Sequence, residues 1–156
     1  MTTTFADYCA TADARKRIEE NVLLWTQMLC EALEQDFVEE SIRRQKFFAA
    51  NETGNTEIMS KVTEQRIAEL KDRKGTYQFI IESGRKYHKI VMEVPNQNRP
   101  PSRSVHAFVD KKSGAVYKAA SFKAPAKHVR FNLLVIKDRE WLLENADWAG
   151  GYLYMR

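Results

Sequence analysis

Cysteine, proline and glycine are all scarce in this chain, with 2, 4 and 6 residues among 156. The two cysteines, Cys9 and Cys30, allow at most one disulfide. One bridge is a weak framework for a chain this long, so both thiols read as small buried side chains in a reducing, cytoplasmic compartment. No apolar run approaches the roughly 20 residues that a membrane-spanning helix needs. The start, Met1-Thr2-Thr3-Thr4-Phe5-Ala6-Asp7, lacks the basic and apolar stretches of a secretion signal.

Catalytic strings are missing as well. There is no Gly-x-x-x-x-Gly-Lys-Ser/Thr phosphate loop, no Cys-x-x-Cys, no His-Glu-x-x-His and no nucleophile elbow. His88, His106 and His128 lie 18 and 22 residues apart, on separate elements, which is poor spacing for a zinc site. A metal-dependent nuclease wants clustered carboxylates, and the basic part of the chain offers only Glu93 and Asp110. These absences argue for a non-enzymatic protein with no metal or other cofactor.

What is present is an ordinary folded composition and an uneven charge. With 44% hydrophobic residues, the chain can bury a core as a single domain over 1–156. Residues 1–74 hold 11 Lys and Arg against 14 Asp and Glu, whereas residues 75–156 hold 14 against 7. Between Ser83 and Arg130 there are 11 basic residues against Glu93 and Asp110 alone.

The acidic part reads as helix over 11–74. No Gly or Pro occurs from Ala12 to Thr53, and Ile18, Val22, Trp25, Leu29 and Ala32 form one apolar seam. Thr11 or Asp13 suits an N-cap. The seam loses phase near Gln35, where Asp36 and Glu39 have capping-box spacing for a second helix, although one long helix is the alternative. Asn51–Asn55 reads as a turn. A further helix fits Thr56 to about Lys74, with Gly75 as its left-handed C-cap.

From Thr76 the pattern becomes that of strands, a four-stranded antiparallel meander over 76–122. Hairpin turns are expected at Ser83-Gly84-Arg85 and Asp110–Gly114, and the proline-rich Pro95–Ser102 is expected as a loop. A C-terminal helix fits about 137–146, and Tyr152–Met155 suits a short final strand. Helices followed by strands argue an α+β fold with the helices on one sheet face.

Alternation along the strands sorts the side chains. Tyr87, Lys89, His106, Phe108 and Lys118 are expected to share the face away from the helices. Rings interleaved with cations suit single-stranded nucleic acid, DNA or RNA, because bases stack on aromatics while Lys and Arg track phosphates. Arg85, Lys86, Arg99, Arg103, Lys111, Lys112, Lys123, Lys127 and Arg130 would then reach the backbone from turns and loops. A plainer account also fits, since strand aromatics pack well and hairpin lysines discourage edge-to-edge aggregation.

The segment Phe108-Val-Asp-Lys-Lys-Ser-Gly-Ala-Val-Tyr-Lys-Ala-Ala-Ser-Phe-Lys-Ala-Pro-Ala-Lys127 resembles a hairpin found in small uncharacterised proteins of tailed bacteriophages. That resemblance implies a viral protein acting inside a bacterial cell and supplies no catalytic residues. The expectation is therefore a phage-encoded nucleic-acid-binding accessory protein. The alternative is a protein-interaction or structural module that self-associates through the Ile18–Ala32 seam.

Overall fold

The computed structural model describes residues 4–51 and 56–154, and its architecture is α+β. A short helix α1 (Phe5–Ala10) leads into a long helix α2 (Ala12–Asn51), followed by α3 (Thr56–Lys71). Five strands follow: β1 (Gln78–Ser83), β2 (Tyr87–Asn96), β3 (Arg99–Asp110), β4 (Ala115–Lys118) and β5 (Phe131–Asn132). Helix α4 (Ile136–Asn145) and a 3₁₀ turn over Gly151–Leu153 complete the order. The sheet is antiparallel throughout, in the order β1-β2-β3-β4-β5. It has one strand more than expected, because residues 131–132 pair with β4. Tyr152 and Leu153 lie in the 3₁₀ turn rather than a final strand, and Met155 is outside the described residues, as are residues 52–55 of the expected turn.

Helix α2 is continuous for 40 residues, about 60 Å at 1.5 Å per residue. Nothing in its sequence breaks it, and the change of phase near Gln35 marks a change of packing partner. Val22, Leu29 and Leu33 are fully buried in the core with Phe79, Ile90, Ala107 and Val109 of the sheet. Each buried Val, Leu, Ile or Phe side chain among them contributes about 1.5–3 kcal/mol. Farther along, Phe37 stacks on Tyr77 at 4.2 Å and meets Trp148 edge-on at 5.3 Å. Asp36 does not cap a helix; its carboxylate accepts the Trp148 backbone N–H at 3.0 Å. Thr11 stands immediately before α2, and its carbonyl accepts the Arg15 N–H at 3.0 Å. Its hydroxyl, however, donates back to the Asp7 and Tyr8 carbonyls and gives α2 no side-chain cap. Thr4 caps α1 by accepting the Asp7 N–H.

The C-terminus of α3 also differs from expectation. Lys74 N–H reaches Glu69 C=O and Arg73 N–H reaches Leu70 C=O, the paired bonds of a Schellman cap. The left-handed cap residue is therefore Arg73, at φ 56°, two positions before Gly75. Its guanidinium crosses to α2 and pairs with Glu31 and Glu34. Glu34 in turn accepts the Phe79 N–H at 3.0 Å, so the first strand is tied to the helix by its backbone.

Pro95–Ser102 is not a loop. Beyond Glu93 only β2 and β3 continue, as a two-stranded ribbon that closes at Asn96↔Arg99. Pro100 and Pro101 sit where the register shifts between Val94 and Asn96, and Asn98 takes the left-handed turn position. A bulge and the absence, among the described residues, of a further neighbouring strand remove the need for the N–H groups that proline lacks.

Candidate nucleic-acid interface

A second register shift decides which side chains share a face. Ile90 pairs with Ala107, but its neighbour Val91 pairs with Val105, so β3 carries one extra residue at His106. Such a bulge interrupts the alternation of side chains. His106 therefore turns to the helix side, where it meets Phe79 edge-on at 5.2 Å and Tyr152 at 2.7 Å. The expectation that His106 lies with Tyr87 and Phe108 is overturned. Lys118 is overturned with it: it pairs with Ala107, a core residue, and its ammonium lies 4.7 Å from the Tyr154 ring on the helix side.

The opposite face holds Tyr87, Lys89, Phe108 and Tyr117. Tyr87 meets Phe108 at 5.7 Å and Tyr117 at 6.1 Å, both edge-on. Phe108 is only 2% exposed, so it supports this cluster from beneath and offers no stacking surface of its own. The exposed ring is Phe122, at 46%. Strand β4 ends at Lys118, and the chain then turns through an Ala119↔Pro125 bridge. That turn carries Phe122 to Lys89, whose ammonium sits 4.2 Å above its ring. Strand alternation could not reveal this, because Phe122 is outside the strand.

Around these rings lies a pocket of about 320 Å³ lined by Glu82, Arg85, Lys86, Tyr87, Lys89, Phe108 and Lys123 among others. Arg85 and Lys86 come from the β1–β2 turn and Lys123 from the loop after β4. Among the described residues, none of the four cations is in an ion pair. Glu82, the one carboxylate of the lining, is bound by Arg103, which also pairs with Glu93 at 3.3 Å. The hydrogen bond to the Tyr87 side chain raises the pKa of Lys86, and Asp110 nearby acts in the same direction.

The other sequence-expected cations divide by their partners. Arg103 is neutralised by the two glutamates. Arg130 is a structural clamp, donating to the carbonyls of Leu153, Lys127 and His128. Lys127 is exposed beside it. Arg99 is exposed near the tip of the ribbon, away from the cluster in register. Lys111 and Lys112 occupy the β3–β4 turn, where Asp110 accepts the N–H groups of Lys112 and Ser113, both at 2.9 Å. Burial acts to raise the Asp110 pKa, but those N–H bonds outweigh it and the net shift is downward.

The Lys111 N–H donates to the Lys86 carbonyl at 3.0 Å, which joins this turn to the pocket's edge. On its far side Lys112 lines a 470 Å³ depression with Arg15, Lys16 and Glu19 of α2. The charge count along the chain concealed Arg15 and Lys16, because they belong to a net acidic segment.

The seam of α2 is occupied within the chain, since Val22 and Leu29 are fully buried and only Ile18 at its end is exposed. Among the described residues, no three His, Cys, Asp or Glu side chains form a group that could hold a metal ion. No described helix is long and apolar enough to cross a membrane. Neither the curated proteins nor the solved structures contain a significant match. The chain belongs to the Family of unknown function (DUF7717), which matches residues 5–155.

Proposed function

We propose that the chain is a non-enzymatic, phage-encoded accessory protein of the host bacterial cytoplasm that binds single-stranded nucleic acid on the sheet face away from α2. The observation that carries this reading is the group of four cations, Arg85, Lys86, Lys89 and Lys123, that have no ion-pair partner among the described residues and surround a pocket walled by Tyr87. Phosphates lie against Arg85, Lys86 and Lys123, and a base stacks on Phe122 or Tyr87, each such stack contributing about 1–3 kcal/mol. Lys111, Lys112, Arg15 and Lys16 continue the same positive edge around the β3–β4 turn. The polar work is electrostatic and needs no reacting group.

The test is fluorescence anisotropy with a labelled single-stranded oligonucleotide at several salt concentrations. The three phosphate contacts at Arg85, Lys86 and Lys123 give a slope of log affinity against log salt of about −2 for a single strand. No binding at low salt, or binding indifferent to salt, overturns the proposal.

A further inference from the structure

On the helix side of the sheet, away from the proposed nucleic-acid face, lies a pocket of about 310 Å³. It forms because β4 pairs with β3 only over Ala107–Val109, which leaves the adjoining Ser104–His106 without a strand on that side. The turn over Trp148–Tyr154 covers the gap. Met92, Trp148, Leu153 and Tyr154 supply apolar and aromatic walls, while Ser104, His106 and Lys118 supply the polar groups. Among the described residues, no carboxylate lines it. Asp147, whose charge acts on His106, is occupied by the N–H groups of Gly151 and Tyr152.

The proton on His106 follows from its partner. Tyr152 is half-buried with its hydroxyl end inside, and among the described residues that hydroxyl has one hydrogen-bond partner, the His106 Nε2 at 2.7 Å. A buried hydroxyl proton needs an acceptor. Tyr152 therefore donates to Nε2, which assigns the remaining proton of the neutral ring to Nδ1. Burial holds the imidazole pKa near 4, so the ring is uncharged at neutral pH. Nδ1 lies on the side of Gly150, itself a lining residue, where a methyl group would stand 3.8 Å away. Neither Nδ1 nor the Ser104 hydroxyl has a hydrogen-bond partner among the described residues, and the Lys118 ammonium has only the Tyr154 ring.

We infer that this pocket is a binding site for a small organic carboxylate with a flat apolar body. The carboxylate is held by the Lys118 ammonium, the His106 Nδ1–H and the Ser104 hydroxyl, and the body lies between Trp148 and Tyr154. Three donors without an acid favour an anion, and the aromatic walls favour a flat organic group over a hydrated inorganic ion. The inference does not depend on nucleic-acid binding, because it uses none of the same side chains.

Titration of the full chain with benzoate, followed by the Trp148 indole and His106 ring resonances in NMR, tests it. Saturable shifts are expected at both residues, with benzamide, which has the same shape and no charge, binding at least about tenfold more weakly. Lys118→Gln is expected to bring benzoate down to the affinity of benzamide. The wild-type comparison stands even if the variant folds poorly. Absence of saturable shifts with benzoate overturns the inference, and so does equal affinity for the two probes.

Discussion

The carboxylate of Asp36 accepts the backbone N–H of Trp148 at 3.0 Å, across 112 residues of chain. One turn farther along α2, Glu40 accepts the indole N–H of the same tryptophan at 2.6 Å. Together they anchor the segment after α4 to the long helix, with Phe37 and Tyr77 packed against the indole. Asp36→Ala leaves a half-buried N–H without its acceptor, which costs about 1–3 kcal/mol. Urea unfolding measures this, and an unchanged midpoint would show that the contact does not contribute to stability.

Burial pushes the His106 imidazole from its ordinary 6.5 down to about 4. Between those values the unfolded chain takes up a proton that the folded chain refuses. Stability is therefore full above about 6.5 and falls as the pH drops toward about 4. The loss attributable to His106 is about 3 kcal/mol. His88, lowered by burial and by Lys111, acts in the same sense. Asp36, raised first by burial, acts in the opposite one. Urea unfolding across this pH range is expected to show a shallower loss in His106→Phe than in the wild type. Parallel curves would remove His106 as the cause.

Arg73 occupies a left-handed cap position while holding Glu31 and Glu34. Arg73→Gly loses the pairs but suits the backbone, whereas Arg73→Ala loses the pairs and retains the strain. The glycine variant is expected to be the more stable of the two by about 1 kcal/mol. Thermal unfolding of both decides it, and an alanine variant as stable as the glycine one contradicts the backbone account.

Lys123→Ala and Lys86→Ala are each expected to weaken oligonucleotide binding and to reduce the salt slope by about 0.7, the contribution of one phosphate on a single strand. Lys118→Gln is expected to leave both unchanged, because Lys118 lies on the other sheet face. Anisotropy titrations of the three variants check the assignment. An equal loss in Lys118→Gln would mean that nonspecific charge, not the pocket around Lys89, attracts the strand.

The helices, the hairpin turns at Ser83–Arg85 and Asp110–Gly114, and α4 were legible because each depends on local preference: an unbroken helical run, a glycine, a turn aspartate. Asp36 and Glu39 misled because a capping box and a tertiary acceptor use the same residue types. Gly75 misled because glycine is the usual left-handed cap, and nothing local shows that Arg73 accepts that conformation to reach α2. Phe122 and the pair Arg15 and Lys16 escaped notice because a loop and a distant helix bring them to the sheet.

The amino-acid order by itself determined where the cations lie along the chain and that they fall on strands and turns, since charge is additive and strand preference is local. Tertiary structure alone decided which of those cations share a face and which are already paired. The physical reason is the period of two along a strand: the one extra residue at His106 shifts the register and turns its side chain to the helix side. Glu82 and Glu93 then take up Arg103, while Arg85, Lys86, Lys89 and Lys123 keep their charge around one pocket.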